Sequence, residues 1–172
     1  MKRMLAVLFL GLLLPLAAQA ATIGTSNVTL QALATAQVSV TDPTINLTPT
    51  STDYDNGYVE ATGTSGLRVR VQTNCTTGMQ LLVACKDAAP QIALADLLVR
   101  TQTAPQGGGT SISTYTPITA ANQTLWTSTT PVRPWLTVTT DVRVQNLINY
   151  NDAVTAGTTS YTNTLTYTVV TQ

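Results

Sequence analysis

The chain has 172 residues, eight basic and eight acidic side chains, no histidine and two cysteines. Without histidine it lacks the Ser-His and Cys-His pairs that activate a nucleophile, and the usual imidazole ligands of zinc. We therefore expect no enzyme, no catalytic residue, no metal site and no cofactor. A charge balance near zero with scattered arginines also argues against nucleic acid as a partner.

The first 20 residues have the features of a secretory signal peptide. A basic start, "MKRM", precedes an apolar run from Leu5 to Ala17, and "AQA" at 18–20 is a cleavage signal. The apolar run is too short for a membrane anchor, and no later stretch is apolar enough to span a bilayer. Cleavage leaves 152 residues, enough for one domain with its own core. We divide the chain into a signal peptide 1–20, an N-terminal extension 21–34 and a single domain 35–172.

The mature chain opens with an unusually long alternating stretch, "NVTLQALATAQVSV", at 27–40. Every even position from 28 to 40 is apolar, and the odd positions are polar except Leu33. A period of two over this length predicts a one-sided strand about twice as long as usual.

Three interpretations of this stretch remain open. It is an ordinary first strand that bends at 34–36 and crosses between sheets, or it is two short strands joined by an unrecognised turn. In the third, residues 22–34 form an arm that completes the sheet of a neighbouring molecule. An arm with one apolar face and unpaired backbone donors suits strand addition to an open groove.

The segment "STDYDNGY" (51–58) predicts a loop, because its Asn-Gly pair suits a tight turn. Asp53 and Asp55 are close enough in sequence to act as paired carboxylates, although a turn-rich loop favours solvated side chains. "DYDNG" also resembles the start of a calcium loop, but the twelfth position from Asp53 is Thr64 instead of glutamate. We expect no metal there.

The remainder of the chain predicts further strands. Leu67, Val69 and Val71 alternate with polar residues, "QIALADLLVR" (91–100) favours a strand over a short helix, and Leu136, Val138, Val142 and Val144 share one face. Trp126 and Trp135 lie in such strands, so we expect them in the core instead of stacking on sugars. Many short strands separated by turns, without a convincing helix, predict an all-β antiparallel β-sandwich.

Cys75 and Cys85 are the two cysteines, and export favours a disulfide bond between them. If "TTG" (76–78) forms a tight hairpin, Cys85 lies about 20 Å along the strand from the residue opposite Cys75. A bridge needs Cα atoms within about 7 Å. We expect the bridge, and with it a bent excursion of 76–84 instead of a simple hairpin.

Three stretches resemble known families of exported fibre subunits. "AQVSVTDPTINL" (36–47) resembles the N-terminal stretch of alpha-type fimbrial major pilins, and "ATGTSGLRVRVQTNCTTG" (61–78) resembles the spore coat protein U family. The closing "GTTSYTNTLTYTVV" (157–170) is similar to the terminal strand of both. The chain departs from spore coat U proteins in having no cysteine in its first strand to pair with Cys75.

The resemblance implies an immunoglobulin-like fold that is incomplete alone. It implies a periplasmic chaperone and an outer-membrane usher as partners, and a homopolymer on the cell surface built by donor-strand exchange. The residues that it assigns to the donor strand are Val28, Leu30, Ala32 and Ala34. Those that it assigns to the terminal strand are Tyr161, Leu165, Tyr167 and Val169. The alternative function is a monomeric exported binding domain, such as a carbohydrate-binding adhesin.

Overall fold

The structure, a computed structural model, describes residues 28–102, 109–146 and 160–172. The predicted signal peptide and residues 21–27 of the predicted extension lie outside the described residues. The described chain consists mainly of β-strands in two antiparallel sheets, which confirms the predicted all-β class. Within the three described ranges, no helix is long and apolar enough to cross a membrane.

Nine strands are described: β1 (Ala36–Val40), β2 (Tyr58–Ala61), β3 (Leu67–Thr73), β4 (Met79–Cys85), β5 (Leu97–Thr101), β6 (Thr116–Pro117), β7 (Gln123–Ser128), β8 (Val132–Gln145) and β9 (Leu165–Thr171). A helix, α1 (Ser51–Asn56), precedes β2, and a 3₁₀ turn (Gly63–Ser65) precedes β3. The large sheet has the order β1-β3-β8-β5-β6, and β2 also pairs with β8. The small sheet has the order β7-β4-β9.

The described residues fall into two compact units. Both sheets lie in the unit Leu33–Gln172, whereas residues 28–32 belong to the unit Met1–Ala32. Residues 28–32 are exposed and contain no strand.

Alternation of apolar and polar residues explains the central strands of the large sheet. In β3, Leu67, Val69 and Val71 are buried and the residues between them are not, as the sequence predicts. Val138 lies opposite Val69 in the antiparallel pair of β3 and β8, and both side chains are fully buried. The β-branched side chains suit such a pleated surface because they pack against their cross-strand neighbours.

The inner faces of the two sheets share one hydrophobic core. Leu81 and Val83 of β4 contribute from the small sheet, and Val99 of β5 contributes from the large sheet. Trp126 of β7 is the largest fully buried side chain of the described residues. The prediction of Trp126 as a core residue is therefore confirmed.

The first strand, β1, is much shorter than the alternating stretch 27–40 predicts. Pairing with β3 covers only Ala36–Val40, and residues 28–35 form no strand. An alternating pattern specifies one apolar face, but a strand also needs a neighbour for its backbone groups. β3 ends at Thr73, which pairs with Ala36, so it offers no further strand residue for pairing.

The segment 51–58 is a helix and a strand start instead of the predicted loop. Thr50 caps α1, with its hydroxyl and backbone N–H both 2.7 Å from an Asp53 carboxylate oxygen. Gly57 ends the helix in the left-handed conformation, at φ 75°. The signal in the sequence was the capping box Thr50-x-x-Asp53, because such a pair satisfies the first backbone N–H groups of a helix. A helix of six residues is too short to show a period of 3.6.

The predicted disulfide bond is wrong, because Cys75 and Cys85 are both free and buried. The turn before β4 requires Gly78, whose φ is 90° and whose absent Cβ would collide with the Ser128 carbonyl oxygen. After it, β4 pairs with β9 along its whole length, from Met79 to Cys85. A continuous strand holds the two cysteines far apart, so the bent excursion that a bridge needs does not occur.

Candidate functional site

On one side of the molecule, a segment of the chain links the two sheets by backbone hydrogen bonds; we call this the closed side. Residues 110–112 run between β7 and β5 and bond to both. The Thr127 N–H of β7 donates to the Thr110 carbonyl oxygen at 2.8 Å, and the Thr101 N–H of β5 donates to the Ile112 carbonyl oxygen at 2.6 Å. Leu125 and Trp126, the residues of β7 next to this segment, are both fully buried.

The opposite side, formed by β1 and β9, has no such connection; we call it the open side. β1 ends the large sheet and β9 ends the small sheet, so in the described part of the chain each has one unpaired edge. Their Cα atoms approach within 8 Å, but the two strands do not pair. Unpaired strand edges are sites where another strand can add.

Apolar side chains on the open side are only partly covered. Val40 of β1 lies opposite Val69 of β3 and shares its face. Val69 is 0% exposed, whereas Val40 is 43% exposed. Ala36 and Val38 on the same face are half-buried. The inner face of β1 therefore extends beyond the cover that the described chain provides.

The inner face of β9 is also half-buried. Leu165, Tyr167 and Val169 pack against the core from the same side of the strand, and each remains partly accessible. Their shared face agrees with the sequence prediction. The Tyr167 hydroxyl is buried without a hydrogen-bond partner, and burial raises the pKa of this phenol.

Tyr161 does not belong to the terminal strand, which begins at Leu165. It lies in an irregular segment and its side chain is exposed. Between Tyr161 and Leu165 the alternation breaks at Asn163, a polar residue at a position of the apolar face. The Asn163 side chain bonds to the backbone of Ile92 instead. The structure therefore brings together three of the four residues assigned to this strand.

The residues assigned to the donor strand remain uncovered. Val28 and Leu30 are 94% and 90% exposed, and Leu33 is 74% exposed. Ala32 and Ala34 are exposed as well. Large apolar side chains that alternate along an uncovered segment are expected to bind a partner surface.

A polar network that the sequence does not reveal lies on the outer face of the large sheet. The Arg143 guanidinium lies 3.9 Å from the ring centroid of Tyr58 and 4.0 Å from that of Tyr115. It also donates to Glu60 at 2.8 Å, as does the Tyr115 hydroxyl. Burial and the hydrogen bond to Glu60 raise the pKa of Tyr115 to about 12. The network joins the segment before β6 to β2.

A second ion pair crosses from β5 to β8. Asp141 is fully buried, accepts from Arg100 at 2.9 Å and also accepts from the Gly63 N–H at 3.0 Å. Glu60 and Asp141 thus each pair with an arginine of the neighbouring strand. Removing one partner of such a pair would leave a partly buried charge without compensation.

The Asp53 carboxylate of the 51–58 segment has a structural role. A cavity of about 390 Å³ lies between residues 44–48 and β2, and Asp53 and Glu60 are among its lining residues. Asp53 is committed to capping α1, and the hydrogen bonds from Thr50 lower its pKa. No cluster of three metal-binding side chains occurs in the described ranges.

Trp135, the second tryptophan, is half-buried instead of belonging to the core. The Arg70 guanidinium lies over its ring, 5.2 Å from the centroid. Because this cation covers the ring, Trp135 does not offer that face to a sugar.

Comparison of the chain with protein-family models, with curated proteins and with solved structures finds no match. Any assignment of function therefore depends on the geometry of the chain itself.

Proposed function

We propose that the protein is an exported structural subunit that polymerises into a surface fibre or coat by donor-strand exchange. The proposed fold is an immunoglobulin-like β-sandwich. Each subunit gives the segment 28–34 to the open side of the next one. The observation that carries this proposal is the partly exposed inner face of β1 and β9, opposite a side that the chain closes itself.

The free edge of β9 and the alternation of the donor segment support the pairing. β9 offers seven residues along its unpaired edge. An added strand would receive backbone hydrogen bonds along this edge, and its alternate side chains would face the core. Val28, Leu30, Ala32 and Ala34 are the side chains that alternate in this way.

Burial of apolar area provides the driving force. Covering Val28 and Leu30 contributes about 1.5–3 kcal/mol each, and the two alanines contribute less. Val40, Val38 and Tyr167 of the acceptor lose their remaining exposure in the same step. Association costs part of this gain, so only the surplus contributes to the affinity of one subunit for the next.

Insertion requires the open side to widen. A strand that lies between two others needs about 4.8 Å on each side, whereas Cα atoms of β1 and β9 approach within 8 Å. A subunit waiting for its donor therefore benefits from a protein that keeps the side open. A periplasmic chaperone is the partner proposed for this step, and an outer-membrane usher for assembly.

The test compares substitutions on the two faces of the donor segment. We expect residues 21–172 to form a concentration-dependent series of oligomers in size-exclusion chromatography with light scattering. Replacing Val28 and Leu30 by aspartate (V28D/L30D) should leave monomers, because each buried carboxylate costs several kcal/mol. The matched control T29D/Q31D adds the same two charges to the other face and should preserve assembly.

A synthetic peptide of residues 21–34 provides the second part of the test. Added to V28D/L30D, it should fill the open side and raise the thermal midpoint as its concentration increases. If residues 21–172 remain a stable monomer at every concentration and the peptide has no effect, the proposal is wrong. A monomeric exported binding domain would then be the better interpretation.

A further inference from the structure

Asn74 holds the backbone at the start of β1 through both ends of its side-chain amide. Its Oδ1 accepts from the Thr35 N–H at 2.6 Å, and its Nδ2 donates to the Leu33 carbonyl oxygen at 2.9 Å. Its own backbone N–H donates to the Thr35 carbonyl oxygen at 3.2 Å. The neighbouring Thr73 hydroxyl donates to that same oxygen at 2.7 Å.

These contacts occupy the place where strand pairing stops. The ladder between β1 and β3 ends at the pair Ala36 and Thr73. Beyond this pair, the side-chain amide of Asn74 takes the place of one more peptide group of β3. Like a peptide group, it offers one acceptor and one donor to the backbone opposite. Leu33 is the first residue in chain order that these contacts reach.

We infer that Asn74 fixes the C-terminal end of the donated segment, because it holds the Leu33 carbonyl oxygen and the Thr35 N–H on either side of Ala34. The chain from Thr35 onwards stays with β3 of its own subunit, and Ala34 is the last residue given to a neighbour. Asn74 is thus a positioning residue, since it sets where the donated segment ends. The inference rests on the proposed function only for the fate of the freed segment.

The test uses residues 21–172 carrying V28D/L30D, so that exchange is measured on monomers. Amide hydrogen exchange by NMR should show Thr35 protected in this parent. Asn74→Ala should accelerate exchange at Thr35 about five- to tenfold, as expected for one net hydrogen bond. Asn74→Asp keeps the acceptor oxygen, so Thr35 should stay protected. Asn122→Ala is the control, since this exposed asparagine also precedes x-Thr and lies outside the strands, immediately before β7.

Global stability separates positioning from a general structural role. Asn74→Ala should leave the urea midpoint within error of Asn122→Ala while Thr35 exchange accelerates. If the midpoint falls enough to account for the faster exchange, or if Thr35 exchange does not change, the inference is wrong. With Val28 and Leu30 restored, Asn74→Ala should also slow assembly at least several-fold, and an unchanged rate would contradict the positioning role.

Failure of the proposed function gives a different result. In that case the chain with its native donor segment does not assemble, while Thr35 still responds to Asn74→Ala and not to Asn74→Asp. The anchoring of Leu33 and Thr35 by Asn74 then stands as a property of the monomer. If assembly occurs and Thr35 does not respond, the fibre proposal survives and the role of Asn74 is overturned.

Discussion

The closed side and the open side of the molecule differ in how the edges of the two sheets are covered. On the closed side, residues 110–112 bond to β5 and to β7, and Leu125 and Trp126 next to them are fully buried. On the open side, β1 and β9 do not pair, and Val40 remains 43% exposed. One chain thus completes its core on one side and leaves apolar surface on the other. Such a difference is expected where a second molecule supplies the missing cover.

The largest difference should come from removing an aromatic side chain on each side. Trp126→Ala on the closed side should lower the free energy of unfolding by about 3–5 kcal/mol, because it leaves a large cavity. Tyr167→Ala on the open side should cost about 1–2 kcal/mol, since the ring is already partly solvated. Urea denaturation of monomers carrying V28D/L30D measures both. Equal losses would show that the two sides are packed alike.

A matched pair of valines refines this comparison at one rung of the β1–β3 ladder. Val69→Thr buries a hydroxyl in the core and should cost about 1–3 kcal/mol. Val40→Thr, directly opposite, should change the stability of the monomer by less than about 0.5 kcal/mol. In protein that assembles, Val40→Thr should have the larger effect of the two substitutions, because it should weaken oligomers that Val40 helps to hold together. An effect of Val40→Thr on the monomer as large as that of Val69→Thr would contradict an open side.

The closed side also depends on a close backbone approach at Gly109. A Cβ at this position would collide with the Thr127 carbonyl oxygen of β7. Gly109→Ala should therefore displace the covering segment and cost about 1–3 kcal/mol. Faster hydrogen exchange at Thr127, with β9 unchanged, would confirm that the damage is confined to this side. Undiminished stability would mean that residues 110–112 cover β7 without being needed there.

The smallest expected effect is a dependence on pH through Glu60. Burial alone would raise its pKa, but the hydrogen bonds from Arg143 and Tyr115 lower it below the ordinary value. Glu60 therefore stabilises the fold above the ordinary glutamate pKa of about 4.3 and loses this contribution as pH falls through its folded pKa. The carboxylate is partly exposed, so we expect less than about 1 kcal/mol. Urea midpoints between pH 7 and pH 3 should fall more steeply for the parent than for Glu60→Gln.

Sequence patterns anticipated the strands but not the partners of those strands. The alternation at Leu67–Val71 and at Leu165–Val169 sets which side chains face the core, because the period of a strand is two. The shortening of β1 depends on where β3 ends, which no local pattern contains. Asn74 contacts Thr35 across 39 positions of the sequence, so its role was equally hidden. The helix α1 is different, since its capping box was visible and was missed.

The cysteines show the same limit. Export favoured a bridge between Cys75 and Cys85, and the distance along a strand argued against it. The structure follows the distance, because β4 pairs with β9 without interruption up to Cys85. The distance along the strand thus predicted the state of the two cysteines better than the preference of exported proteins for disulfide bonds did.

The most direct test of the account compares hydrogen exchange before and after assembly. Residues 21–172 are followed by mass spectrometry as assembled oligomers and as V28D/L30D monomers. The account predicts new protection in the segment 28–34 and in β9 of the oligomers, and unchanged protection in β7, whose edge is already bonded. Protection gained at β7, or oligomers in which 28–34 and β9 exchange as fast as in monomers, would contradict it.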